Sequence, residues 1–250
     1  MKSLNRLLLL LTIVTLALSG CDFLTDFKDK DYSTEESING SGNLITVTEP
    51  YSSFNTIEAS HSFDLVITQG NVFSVEIEFD DNLVDYLITG KEGNKLTLGL
   101  RGGNSYNNIT LRANITMPDI SLARLSGASS INFPDMVLDH SLKLELSGAS
   151  KVTGNLTVED VEFQLAGASY MNLNGTAHNL TVYGSGASRL DFENFEVNDA
   201  SLYLSGASLS TIYAHGILSA YLSGASGLFI KGNPTIGTIE TSGGAFIERM

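Results

Sequence analysis

Tryptophan is absent from this 250-residue chain, cysteine occurs once, and charged residues make up only 17% of it. A single cysteine excludes an intrachain disulfide, so stability must come from packing. Few charges, 24 glycines and 42% hydrophobic residues suit one sizeable all-β core with many strands and tight turns better than a helical bundle. After the first 20 residues no apolar run reaches the ~18 residues of a membrane-spanning helix. No G-x-S-x-G elbow, nucleotide or flavin fingerprint, zinc spacing or calcium-binding nonapeptide is found, so no cofactor or metal is expected and the chain reads as a non-enzyme.

Positive charge is scarce as well. The chain has 14 basic residues against 28 acidic ones, and removing Lys2 and Arg6 with residues 1–20 leaves a net charge of −16. Such a surface repels nucleic acid, which is excluded as a partner. Those first residues read as an address: Lys2 and Arg6, then the apolar stretch from Leu7 to Leu18, then Ser19, Gly20 and Cys21. Leu18-Ser19-Gly20-Cys21 resembles a bacterial lipobox. That resemblance implies a mature chain beginning at lipidated Cys21, anchored to a membrane without spanning it; the expected place is the bacterial cell envelope, at the outer membrane, with leaflet and facing left open. Residues 21–40 mix charge, serine and glycine without apolar periodicity and read as an acidic flexible tether, with the folded domain at 41–250.

The strongest signal is internal repetition. "LSGAS" occurs at 125–129, 146–150, 204–208 and 222–226, with "LAGAS" at 165–169, "GSGAS" at 184–188 and "SGGA" at 242–245. The marker glycines Gly127, Gly148, Gly167, Gly186, Gly206, Gly224 and Gly243 are 18 to 21 residues apart, a period near 19. Apolar residues alternate upstream of each corner, as in Leu142, Leu144 and Leu146 or Val161, Phe163 and Leu165. They alternate again downstream, as in Ile131 and Phe133 or Leu190 and Phe192. Period two on both sides means strand with one buried face. Pro134-Asp135, Gly154-Asn155, Asn174-Gly175 and Gly232-Asn233-Pro234 read as turns between them.

Strand, small-residue corner, strand and turn every 19 residues describe one coil of a parallel β-helix, with coils about 4.8 Å apart. Propeller blades need about twice this period, and leucine-rich horseshoes carry a fixed asparagine that is missing here. Parity places the corner glycine and the serine two residues later on the leucine side, where a sharp inner corner leaves room only for small side chains. Such a serine column can bond along its own ladder and to backbone. The corner is therefore structural, and six equivalent serines cannot each have a private His and Asp.

The corners from Gly127 to Gly243 follow "FNTIEASHSFDLVITQG" at 54–70, "NLVDYLITG" at 82–90 and "NITMPDI" at 114–120. Together these motifs resemble the putative auto-transporter adhesin, head GIN domain family over residues 54–247. The resemblance implies a right-handed β-helical domain of exported bacterial proteins and carries no assigned functional residues. Ile57, Ala59, Phe63 and Leu65 fit one further coil, with Ala59 in the glycine's place. Val75, Ile77 and Phe79, and Leu96, Leu98 and Leu100, read as strands covering one end of the solenoid. Between them "DDNLVDYLI" reads as a helical turn capped by Asp81 or Asn82. The other end is less protected, with Glu248 and Arg249 as edge charges, and end-to-end self-association follows as an expectation.

Function must lie in exposed columns. Three residues before each glycine stand Arg124, Glu145, Gln164, Tyr183, Tyr203, Tyr221 and Glu240. Tyr183, Tyr203 and Tyr221 form an aromatic ladder that either binds a glycan or protein ligand or staples neighbouring coils together. Eight residues before the glycine run Asp119, His140, Glu159, His178 and Asn198, too widely spaced to share a metal directly, with His215 one residue out of line. Asp191, Glu193 and Glu196, in one connecting turn with Arg189, are the nearest approach to the clustered carboxylates of a glycan-active β-helix enzyme. The expected function is a lipid-anchored, adhesin-like binding module of the cell envelope. Its alternatives are a periplasm-facing structural or assembly component and a glycan-active enzyme.

Overall fold

Alternating inward side chains build every coil of the computed structural model, which describes residues 36–250. The signal segment, Cys21 and the tether up to residue 35 lie outside the described residues. In one coil Val152, Leu156 and Val158 face inward on the first run and Val161, Phe163 and Leu165 on the second, each no more than 5% exposed. Inward parity breaks between Val158 and Val161, and the chain turns there. Equivalent residues stack in parallel register: Phe163 pairs with Leu144 on one side and Val182 on the other. The fold is the expected all-β solenoid with coils near 19 residues.

Two parallel stacks result. The first contains β3 (Thr56–Ala59), β10 (Leu122–Leu125), β12 (Leu142–Leu146), the second halves of β13 (Lys151–Leu165), β14 (Tyr170–Gly184) and β15 (Arg189–Leu204), then β17 (Ile217–Leu222) and β19 (Thr235–Thr241). The second contains β4 (Asp64–Gln69), β11 (Ser130–Val137), the first halves of β13 to β15, β16 (Leu209–Ala214), β18 (Gly227–Gly232) and β20 (Phe246–Arg249). Between the stacks lies an aliphatic core with an aromatic centre, where Phe163, Phe192 and Phe195 sit with ring centroids 5.6 to 6.5 Å apart.

Two of the expected turns are bends inside continuous strands. Gly154-Asn155 and Asn174-Gly175 lie within β13 and β14, whose ladder stays paired through them. Gly154 makes this bend with φ +136°, and a Cβ there would lie 2.0 Å from the Phe133 carbonyl oxygen. Pro134-Asp135 sits inside β11 where the register shifts between Phe133 and Met136, because proline cannot donate to the ladder. Gly232-Asn233-Pro234 does separate β18 from β19.

The amino-terminal part closes one end, as expected, by changing strand direction. β2 (Leu44–Glu49) and β9 (Leu111–Met117) flank β5 (Ser74–Asp80) antiparallel, and β9 then joins β4 in parallel. β6 (Leu87–Glu92) and β7 (Lys95–Leu100) make an antiparallel hairpin whose second strand joins β3. The helical turn is a single 3-10 turn, Asp81–Leu83, and its cap position is Asp80, not Asp81 or Asn82. Asp80, 1% exposed, accepts the Gly42 and Thr110 amides at 2.7 and 2.6 Å, which ties the cap strands together. Residues Ser37–Asn39, placed in the tether by composition, form β1 and pair in parallel with β8 (Ser105–Asn107). At the far end β19 and β20 leave Ile236, Ile239 and Phe246 exposed. Among the described residues no helix is long and apolar enough to cross a membrane.

Candidate functional site

The corner motif sets the floor and one wall of the site, and each of its letters has a separate task. In the copy at 146–150, Leu146 is buried, while Ser147, Gly148 and Ala149 are exposed and Ser150 is buried again. Gly148 does not face inward, which corrects the reading from parity. Its φ is +71°, and a Cβ would lie 2.5 Å from the Gly127 carbonyl oxygen of the preceding coil. That same oxygen accepts the Ala149 amide at 2.7 Å, so the corners are joined backbone to backbone. Ser150 Oγ donates to the Ser147 carbonyl at 2.7 Å, and Ser169, Ser188, Ser208 and Ser226 repeat this bond at 2.8 to 2.9 Å. The buried serines thus bond to backbone and not to one another.

The first coil departs from the pattern. Ala59 pairs with Leu125, so the glycine's place falls on His61 and not on Ala59. His61 adopts φ +61°, and its Nδ1 accepts the Leu100 amide at 3.3 Å and lies 2.8 Å from Ser60 Oγ. A side-chain bond to the cap replaces the conformational freedom of glycine.

The outward column keeps the expected register from Arg124 to Glu240, and it continues past Arg124 to Glu58. Tyr183 and Tyr203 have ring centroids 5.0 Å apart at 12°, and Tyr203 and Tyr221 5.0 Å apart at 1°. Rings lying flat side by side would collide at that separation, so the ladder is a face-to-face stack that turns its edges outward. Tyr183 and Tyr203 are 43% and 40% exposed, and the three hydroxyls make no hydrogen bond within the described residues.

Beside the column runs a groove of about 680 Å³, from Glu58 to Tyr221. One wall is the column; the other is the residue after each corner leucine or its equivalent, serine at Ser126, Ser147, Ser185, Ser205 and Ser223 and alanine at Ala166. These serines were legible in the motif, since the two serines of SGAS stand on opposite parities. Ser147, Ser185 and Ser205 donate to carbonyl oxygens of the coil before at 3.3 to 3.4 Å, leaving their lone pairs toward the groove. The floor leucines Leu125, Leu146, Leu165 and Leu204 are only 2 to 3% exposed.

Charges gather at one end of the groove. Arg124 Nε lies 2.6 Å from Glu145, and Lys143 Nζ bridges Glu145 and Glu162 at 3.0 and 3.1 Å. Burial works against ionisation of Glu145, but Arg124 and Lys143 outweigh it and hold its pKa below the usual carboxylate range. The hydrogen bonds to Glu145 and Glu162 raise Lys143 in turn.

The histidine column is broken into separate contacts. His140 Nε2 meets Asp119 at 2.5 Å and its Nδ1 lies 2.9 Å from the Ser141 carbonyl; the carbonyl, then the carboxylate, raise its pKa. His215 pairs instead with Glu196 at 3.3 Å. Among the described residues no three His, Cys, Asp or Glu side chains are grouped to hold a metal. Asp191, Glu193 and Glu196 lie on β15, at a register shift opposite β16, and not in a connecting turn. Lys231 Nζ, which no sequence pattern places there, donates to the Glu193 carbonyl at 2.8 Å.

Residues 53–234 match the sequence model of the family described as "Putative auto-transporter adhesin, head GIN domain". The chain is also similar to the crystal structure of a putative adhesin from Bacteroides fragilis. The two are 23% identical with a TM-score of 0.80, over 85% of this chain and 100% of that one. A putative lipid binding protein from Parabacteroides distasonis is 19% identical with a TM-score of 0.70, over 86% and 100% of the two chains. A putative adhesin from Parabacteroides merdae is 18% identical with a TM-score of 0.64, over 86% and 99%. At these identities the likeness is one of fold. No curated protein matches the chain.

Proposed function

The chain belongs to the putative auto-transporter adhesin, head GIN domain family, and from that membership we propose that it is a surface-facing, non-catalytic binding module of the bacterial envelope. In this reading lipidated Cys21 anchors it to the outer membrane and the groove beside the tyrosine column takes the ligand. One observation carries the reading. An outward column in unbroken register over seven coils borders a continuous groove, and its three tyrosine hydroxyls have no partner within the described residues.

Other features point the same way. Leu18-Ser19-Gly20-Cys21 is the lipobox pattern, and only one cysteine is present to be acylated. The two carboxylates that line the groove are each held by cations, Glu58 by Lys95 and Glu145 by Arg124 and Lys143, so neither stands free as a base. The neighbour named as a lipid binding protein raises acyl chains as ligands, but floor leucines exposed by only 2 to 3% offer an acyl chain little surface. Protease shaving of intact cells, with a periplasmic protein as control, tests the placement. Loss of the protein while the control survives is the expected result. Survival of both until the envelope is opened overturns the surface-facing role and leaves a periplasmic component.

A further inference from the structure

Resting on the groove as the binding site, we infer that its ligand is a neutral, extended polysaccharide lying parallel to the solenoid axis, with about one sugar ring to each coil. The first argument is one of period. Structurally equivalent positions recur along the groove at the coil spacing, and over the three coils that carry tyrosine the ring centroids are 5.0 Å apart. An extended peptide laid along the same line presents one face every two residues, roughly 6.6–6.8 Å, and falls out of step within three coils. An extended β-linked glycan advances one ring at close to the coil spacing and stays in step.

The second argument is chemical. One wall offers the hydroxyls of Tyr183, Tyr203 and Tyr221, which have no partner among the described residues, and the other the outward lone pairs of Ser147, Ser185 and Ser205. Hydroxyls on both sides match a ligand that is itself a chain of hydroxyls, each able to donate and accept. Because the tyrosine faces cover one another, binding rests on hydrogen bonds to the phenol oxygens and van der Waals contact with the ring edges, not on broad sugar stacking.

The third argument is electrostatic. The chain carries a net charge of −14, and the groove's cation, Arg124, is already held by Glu145 at 2.6 Å. A polyanion would meet repulsion and no free cation. The groove's carboxylates are taken as well, Glu58 by Lys95 at 2.9 Å and Glu145 by Arg124, so none stands free for a polycation and the ligand is neutral.

Titration calorimetry of the full chain in detergent micelles tests this, with cellohexaose, chitohexaose and mannohexaose as neutral probes, hexagalacturonate as the anionic one and hexathreonine as the extended peptide. At least one neutral hexasaccharide is expected to bind at least tenfold more tightly than its disaccharide and than hexagalacturonate. Tyr203→Phe, which keeps the stacked ring and removes one hydroxyl, should weaken it severalfold. Equal affinity for hexagalacturonate, tighter binding of hexathreonine, or no binding of any neutral hexasaccharide overturns the inference. An array of immobilised proteins and glycans separates this failure from failure of the site. Capture by a protein that is lost on Tyr203→Ala keeps the groove and removes the glycan, whereas capture indifferent to Tyr203 removes the groove as well.

Discussion

The rings of Tyr203 and Tyr221 are stacked with centroids 5.0 Å apart and planes 1° from parallel. Neighbouring coils are thus held by side chains outside the solenoid as well as by the core within. Tyr203 is the middle ring and touches a tyrosine on both sides. Tyr203→Ala is expected to destabilise the domain by about 1–3 kcal/mol, from two aromatic contacts of roughly 0.5–1.5 kcal/mol each. Tyr203→Phe should change stability by less than ~0.5 kcal/mol, since a surface substitution that keeps the ring keeps the stack. Denaturant unfolding of both variants checks this.

The corner glycines make a sharper prediction. Gly167 has φ +76°, and a Cβ there would lie 2.5 Å from the Gly148 carbonyl oxygen, which also accepts the Ala168 amide at 2.7 Å. Gly167→Ala should therefore cost at least ~2 kcal/mol, combining left-handed strain with the clash. The exposed neighbour provides a control: Ala168→Ser should stay within about 0.5 kcal/mol of the wild type. Thermal unfolding of the two variants side by side decides it.

Ser210 is the one buried side-chain polar atom without a partner among the described residues, and its column neighbours are Leu190 and Leu228. It interrupts an aliphatic column with an unsatisfied hydroxyl. Ser210→Ala is expected to stabilise the fold by about 1 kcal/mol, the low end of the desolvation cost of an unpaired buried polar group. A denaturation midpoint that moves downward contradicts this.

The pH dependence at His140 has a definite sign. The Ser141 carbonyl and Asp119 raise its pKa above the ordinary 6.5. Its contribution is therefore fully present below about pH 6.5 and is lost as pH rises through the folded-state value. Both partners are more than a third exposed, so the effect is at most ~0.5 kcal/mol. The stability gap between wild type and His140→Asn should be larger at pH 5 than at pH 8. Urea midpoints at the two pH values check it.

The coil was legible in the sequence because period two and period 19 reinforce each other. Leu142, Leu144 and Leu146 announce a strand, and the next SGAS announces where it turns. What parity could not tell was why glycine recurs, because Gly148 is fixed by its φ and by the backbone of the coil above, neither of which leaves a trace in hydrophobic alternation. For the same reason alternation points to Ala59 and not to His61 as the corner residue: the place of His61 follows from the pairing of Ala59 with Leu125. The bends at Gly154 and Gly175 read as turns because glycine and asparagine mark both, and only pairing across the coils distinguishes them. The tyrosine column was legible from spacing alone. That its rings stack edge-outward was not, because spacing fixes Cα positions and leaves χ angles free.

The central claim is that the tyrosine column binds and does not merely staple coils together. Its most direct test is the full-length triple variant Tyr183→Ser, Tyr203→Ser, Tyr221→Ser, measured for circular dichroism and for capture on immobilised glycans and proteins beside the wild type. The account predicts an unchanged β spectrum, a lower unfolding midpoint and lost capture. A folded variant captured as well as the wild type would contradict it and leave the column as a staple.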